Sequence, residues 1–564
     1  MKYFVRLKIS IVLVGIVCVG SAGTSPSKAA DVQRVLYVMA EAAGTGDGTS
    51  WADAYNDLQD ALAVAVADDQ IWIAAGIYSP GGPGDRAATF QLKSGVEIYG
   101  GFTGTEVSLS ERNPSKNLTA LSGDLLGNDL EDIRPEDLWR ESSRYENCYH
   151  VVTGSGADET AVLDGFVITG GNANGPGNTD GGGMINIGST NGLVQANPTL
   201  FNCTFNGNSA SGKGGGVYSS GGSPTFVNCN FRGNHALGSA DIPDGGGGMY
   251  NLNASPTVED CIFSRNTTGG RGAGMYNSGG SQTIIRCLFE ENESFISPSD
   301  DTRVGGGVLS LGSNTVIREC VFTENVAANG GGVFTGSGTN ATLVNSLFFE
   351  NHAVQPHTVY NRQGDGGALQ NYGADLTVIH CTFAGNTAFK TTGAGMSSQN
   401  GGSSTVNNCI FWGNIASGVT DSAAQIGDTN PIHVMHSCVQ GGFPGMGNIE
   451  TDPLFADPEN GNYRLKSQDG RWNPLDENWI YDDVTSPCID AGDPMSPIGL
   501  EPFPNGGFVN MGAYGGTVQA SKSYFGQPAC GSIVAGDLNG DCQVDQADLE
   551  IMALHWTGSE PLKP

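Results

Sequence analysis

The sequence predicts an all-β fold, a parallel β-helix wound as a solenoid, on three observations. The first is a repeat across residues 200–440. A Phe-x-x-Asn unit recurs at Phe205/Asn208, Phe231/Asn234, Phe263/Asn266, Phe289/Asn292, Phe322/Asn325, Phe348/Asn351, Phe383/Asn386 and Phe411/Asn414. Two residues before the Phe stands a cysteine: Cys203, Cys229, Cys261, Cys287, Cys320, Cys381 and Cys409, with Ser346 in the remaining copy. The second is the spacing of those slots, 26, 32, 26, 33, 26, 35 and 28 residues. A fixed rung near 26 with tolerated insertions marks a solenoid. The third is the alternation within each rung, as in Thr225–Phe231 (TFVNCNF), which is the two-residue period of a strand.

Each repeated residue then has a structural task. Like side chains stack from rung to rung at the ~4.8 Å spacing of paired strands. Phe and Cys form inward ladders, the Cys as reduced, small buried hydrophobes. Asn stacks at a corner, bonding its amide along the axis and tolerating a left-handed backbone there. Glycine clusters, such as GGGVY at 214–218, GGGMY at 246–250 and GAGMY at 272–276, supply φ > 0 at another corner.

Composition fits. The 564-residue chain holds 86 Gly, and 58 acidic against 26 basic residues give a net charge of −32. That balance argues against nucleic acid, whose phosphates demand Lys and Arg. It suits an extracellular protein, or one that uses divalent cations. Lys2, Arg6 and Lys8 precede an apolar run from Ile9 to Val19 and then small residues, which reads as a signal peptide over 1–29, cleaved after Ala22 or Ala29. The run is short for a membrane span of ~20 residues, and no later segment reads as one.

Along the chain, 31–80 reads as the N-terminal cap of the solenoid. Val35–Met39 is a first strand. A helix is expected from Ser50 to about Ala67, capped by Ser50 or Asp53, with Trp51, Tyr55, Leu58, Leu62 and Val66 on one face. It would cover an exposed sheet edge. Strands are expected at 70–77, 91–101, 150–153 and 161–170. The charged stretch 108–149 is too long for a corner and reads as a protruding loop. Residues 440–525 read as terminal, atypical rungs, with Cys438 in the last regular one.

The segments GFVITGGNANG at 165–175, DPLF at 452–455, SPCIDAGD at 486–493 and MGAYGG at 511–516, with the repeats, together resemble the secreted right-handed parallel β-helix proteins of bacteria. The FxxN and glycine repeats also resemble those of the polymorphic outer membrane protein family. The resemblance covers roughly 31–520. It implies a right-handed, pectin lyase-like solenoid. That architecture hosts polysaccharide lyases, glycoside hydrolases, epimerases and adhesins alike.

Near the C-terminus, oxygen donors fall at Asp537, Asn539, Asp541, Asp545 and Asp548, and Gln543 offers its backbone carbonyl. Alternate oxygens on a tight loop suit Ca2+, and a helix over Leu549–Trp556 is expected to follow. The unit, 530–564, resembles one EF-hand-like calcium segment of a dockerin domain, which implies a cohesin-like partner. Cys542 replaces the usual glycine, and a single segment is visible. Cys530 and Cys542 are spaced to allow a disulfide.

For catalysis, Asn178-Thr179-Asp180 and Asp300-Asp301 offer carboxylates, but no Gly-His-Gly or Arg-x-Lys follows. Insertions all fall after the Asn and before the glycines, so they emerge along one edge. Lys213, Arg271, Arg303, Arg362 and Lys390 lie there, interspersed with Asp244, Asp301 and Asp365. In register they form a mixed-charge stripe for an extended, anionic glycan. The expected function is therefore binding of polysaccharide or a cell-surface component by a secreted protein. The alternative is a polysaccharide lyase or glycoside hydrolase on the same scaffold.

Overall fold

The structure, a computed structural model, describes residues 33–189, 194, 196–238, 244–294, 303–354, 364–428, 430–523, 546 and 549. The chain divides into two compact units, one of 32–406 with 411–433, the other of 1–31, 407–410 and 434–564.

The first unit is a parallel coil. One rung shows why. Val217–Gly222, Thr225–Val227, Asn230–Arg232 and His235–Ala236 are short strands separated by turns. Each pairs in parallel with its counterpart one turn later: Val217 with Met249, Thr225 with Thr257, Phe231 with Phe263, His235 with Thr267. The repeat thus places identical residues over one another. The eight ladder phenylalanines, from Phe205 to Phe411, are fully buried. Their rings stack almost coplanar, with centroids 5.0 Å apart at Phe205–Phe231 and 4.4 Å at Phe231–Phe263. The strand spacing sets that separation, so each ring packs directly on the next along the core.

The asparagine ladder bonds along the axis as expected. Asn234 Nδ2 donates to Asn266 Oδ1 at 3.0 Å and to the Phe205 carbonyl at 2.9 Å, while the Asn234 amide N–H donates to the same Asn266 oxygen. The left-handed residue, however, is not this Asn. It is the residue before it, Gly233 (φ 61°) or Arg265 (φ 54°), and the residue before each Cys, Asn228 (φ 53°) or Asp260 (φ 54°). The ladder Asn is held in place by its amide bonds, so the reversal falls on its exposed predecessor.

The cysteine ladder also does more than fill space. Cys320 Sγ donates to the Arg318 carbonyl at 3.3 Å and accepts the Cys287 N–H at 3.4 Å. Ser346 makes the same pair of bonds, to the Val344 carbonyl at 3.0 Å and from the Cys320 N–H at 3.2 Å. The slot therefore selects a small donor-acceptor rather than a hydrophobe, and the described cysteines are free thiols. Of the glycines, Gly214 takes φ 66°, and a Cβ on Gly216 would lie 2.4 Å from the Gly248 carbonyl oxygen.

Three expectations need correction. The helix spans only Leu58–Val64, capped by the Asp57 carboxylate, which accepts the Gln59 N–H. Trp51 and Tyr55 lie before it: Trp51 packs on Tyr37 and Phe102, and Tyr55 bridges to Val38. Those aromatic contacts claim the first half of the helical pattern. Next, 108–149 does not protrude. Its 3-10 turn Pro135–Arg140 packs on the strands at 209–210, 235–236 and 267–268. Arg144 donates to the Gly171 and Gly207 carbonyls, each at 3.0 Å.

The third correction concerns the second unit. Residues 455–480 form antiparallel hairpins, Phe455–Asp457 with Asn462–Leu465 and Arg471–Asn473 with Asn478–Ile480, not further parallel rungs. Ser437 occupies the Cys slot, accepting the Cys409 N–H at 3.0 Å, so Cys438 stands one residue beyond it. The two late motifs serve structure here. Asn510 Oδ1 accepts the Asp490 N–H, and Glu501 Oε1 accepts the Asn510 and Gly516 N–H groups, each at 2.8 Å. Among the described residues no helix is long and apolar enough to cross a membrane.

Candidate functional site

The insertions after the ladder Asn bring the charged residues of successive rungs to one edge of the coil. Asp244 and Arg271 form a parallel bridge. Lys213 Nζ reaches Asp244 Oδ2 at 3.1 Å and lies 4.9 Å from the Tyr250 ring centroid. Tyr250 and Tyr276 donate their hydroxyls to the two oxygens of Asp244 at 3.1 and 3.0 Å. The Arg271 side chain bonds Tyr276. Burial, then the neighbouring charges, pushes both phenols up. The aspartate thus accepts from two tyrosines and pairs with Lys213.

The tyrosines belong to a row that the repeat hides in its second post-glycine position: Tyr218, Tyr250, Tyr276, Leu309 and Phe334 pack as one cluster. Aligning that single column across rungs is the signal that finds it.

Farther along the same edge, Lys390 pairs with Asp365, and Gln399 Nε2 donates to Asp365 Oδ2 at 2.9 Å. Asp365 is only 3 % exposed. Gln399 lies in register with Tyr372, which is 44 % exposed and stacks toward Phe334 with centroids 6.3 Å apart. Phe389, beside Lys390, is 50 % exposed. Exposed rings therefore flank a hydrogen-bonded knot of one carboxylate, one ammonium and one amide. Arg303 sits at the same edge through its backbone, its carbonyl accepting the Ala328 N–H at 3.0 Å.

At the other end, Asp180 Oδ1 accepts the Lys213 N–H at 2.8 Å, which puts Asn178-Thr179-Asp180 on this edge too. His150 joins it, unforeseen from sequence. Its Nδ1 is 2.9 Å from the Gly181 carbonyl and its Nε2 is 3.4 Å from Asn178 Oδ1. Burial lowers its pKa, so the ring is neutral at neutral pH. Both ring nitrogens face oxygen acceptors, and a neutral ring donates to one of them at a time.

Arg362, Asp300, Asp301, the signal segment 1–29, Cys530, Cys542 and the calcium positions Asp537, Asn539, Asp541, Gln543, Asp545 and Asp548 lie outside the described residues. Among the described residues one carboxylate group, Asp124, Asp129 and Glu146, has the spacing to hold a metal.

Two sequence families match in part: residues 179–362 match one described as "Right handed beta helix region", and 331–492 match one described as "Disaggregatase related". No curated protein matches. Among solved structures, pectate lyase Pel9A is similar at 14% identity over 85% of this chain and 96% of its own, with a TM-score of 0.41. A rhamnogalacturonan lyase is similar at 12% identity over 80% of this chain and 97% of its own, with a TM-score of 0.30. Parallel pairing in every rung and the match over the repeats agree: the coil is a right-handed parallel β-helix.

Proposed function

We propose that the chain is a secreted β-helix protein that binds polysaccharide, or a glycan-bearing cell-surface component, along the insertion edge. In this reading residues 537–548 form a calcium-binding, dockerin-like tail. A cohesin-like partner stays attached to that tail as its consequence.

One observation carries the reading: Tyr372 and Phe389 stand exposed beside the Asp365–Lys390–Gln399 knot. Sugars present apolar ring faces and a rim of hydroxyls. Aromatic faces take the first, and a fixed set of polar groups takes the second. The cations of the edge are largely matched by aspartates, so it suits hydroxyl-rich chains better than a purely electrostatic clamp would.

The test is retention of the full chain on a panel of pectins, alginates and neutral glycans. Tyr372→Ala with Phe389→Ala is expected to weaken binding at least ~10-fold, the loss of about 1.4 kcal/mol from two stacking contacts. Unchanged retention in that variant removes the edge as the binding surface.

His150 favours a second reading, a lyase or hydrolase on the same scaffold. Its neutral imidazole lies beside Asn178 at the edge where a glycan would run, and a neutral imidazole is the form that abstracts a proton. Release of unsaturated or reducing sugars by the native chain, lost in His150→Ala, separates this reading from binding alone.

A further inference from the structure

The segment that folds back on the coil contains an unexplained set of polar atoms. Asp124, Asp129 and Glu146 each present an oxygen within 4.8 Å of the others. Asp124 follows the strand Thr119–Ser122, and Glu146 follows the 3-10 turn Ser142–Arg144, so the group closes the two ends of one excursion.

Part of this group is fastened. Asp124 Oδ1 accepts the Leu126 and Gly127 N–H groups, and its Oδ2 accepts that of Asp129 at 2.9 Å. Asp129 Oδ2 accepts from Arg144 Nη1 at 3.0 Å and from Asn147 Nδ2 at 2.8 Å.

The remaining oxygens are not. Asp129 Oδ1 and Glu146 Oε1 are buried and accept no hydrogen bond. Nor does the amide oxygen of Asn147, a residue with 0 % exposure whose amide nitrogen abuts Asp129. Three acceptors cannot satisfy one another, and native interiors do not leave such atoms bare. Three carboxylates against the Arg144 guanidinium leave −3 + 1 = −2 at the group.

We propose that Asp124, Asp129 and Glu146 hold a calcium ion, with the Asn147 amide oxygen beside it as a neutral donor. The charge balance calls for a divalent cation, and the donors are all hard oxygens. Calcium takes 6–8 oxygens in flexible geometry and accepts carboxylates already held by other hydrogen bonds, whereas magnesium demands a near-ideal octahedron and keeps its waters. The ion would tie residue 124 to residues 146–147. It would thereby pin the Pro135–Arg140 turn onto the strands at 209–210, 235–236 and 267–268. This site is distinct from the tail loop 537–548 and from the glycan edge.

The experiment is isothermal titration of the chelator-stripped full chain with calcium, the tail silenced by Asp537→Asn and Asp541→Asn. One calcium per chain is expected to remain. Adding Asp129→Asn and Glu146→Gln is expected to weaken it at least ~10-fold, since ligand charge sets affinity at such sites. Calcium should also slow proteolysis within 124–147 in the first chain and not in the second. Circular dichroism checks folding, and if the paired variant misfolds, Glu146→Gln alone takes its place. No heat from the tail-silenced chain, as ordered water at the group would give, overturns the proposal. So does an affinity unchanged by Glu146→Gln and Asp129→Asn.

Discussion

At residue 320 the ladder thiol gives and receives a hydrogen bond, and that decides what can replace it. Cys320→Ser keeps both bonds, as Ser346 does naturally, and should change stability by less than ~1 kcal/mol. Cys320→Val, similar in size and more apolar, leaves the Cys287 N–H and the Arg318 carbonyl without their thiol partner and should cost about 2 kcal/mol. Urea unfolding of the two variants distinguishes a bonding ladder from a hydrophobic one, for which the order would reverse. The thiol's small size was legible in the sequence; its bonding was not, because donors and acceptors are assigned only when rungs stack. Glu501 makes a second case. Buried with one oxygen bonded and the other without a partner, its carboxyl is pushed up to about 7 by desolvation. A raised folded pKa means that the folded state holds the proton more tightly than the unfolded chain does. The stabilisation is then complete below the unfolded value near 4.5 and is lost as pH rises through 7. The expected loss is ~3 kcal/mol. Glu501→Gln should flatten that slope in pH-dependent unfolding while keeping the oxygen that accepts from Asn510 and Gly516.

Among the elements, the short strands were readable because alternation survives even in three residues such as Thr225–Val227. The helix was read too long because Trp51 and Tyr55 fit its period yet are used elsewhere, one in an aromatic cluster and one in a bridge. The segment 108–149 reads as a protruding loop because its sequence is charged and irregular. Its docking depends on Arg144, which is 3 % exposed and donates to carbonyls of two different rungs. Arg144→Met keeps the bulk and removes those bonds. It should free the segment, so that limited proteolysis cuts between 124 and 147 at least ~10-fold faster while the coil's core stays resistant. Equal cutting rates would mean that packing of the Pro135–Arg140 turn holds the segment without Arg144.

For the molecule as a whole, the repeat by itself determines the fold. Phe, Cys and Asn at fixed offsets can be satisfied together only if rungs stack in parallel register, since each partner is the same residue one turn away. The site obeys a different logic. Lys213, Asp244 and Arg271 were legible as neighbours because the period puts them on one edge. That Asp244 gathers two tyrosines, that His150 faces Asn178, and that Asp124 meets Glu146 were decided only in three dimensions. The tyrosines follow the period but Asp244 lies in an insertion that does not, and the other two contacts join segments outside the repeat, so spacing along the chain carries no trace of these meetings in space.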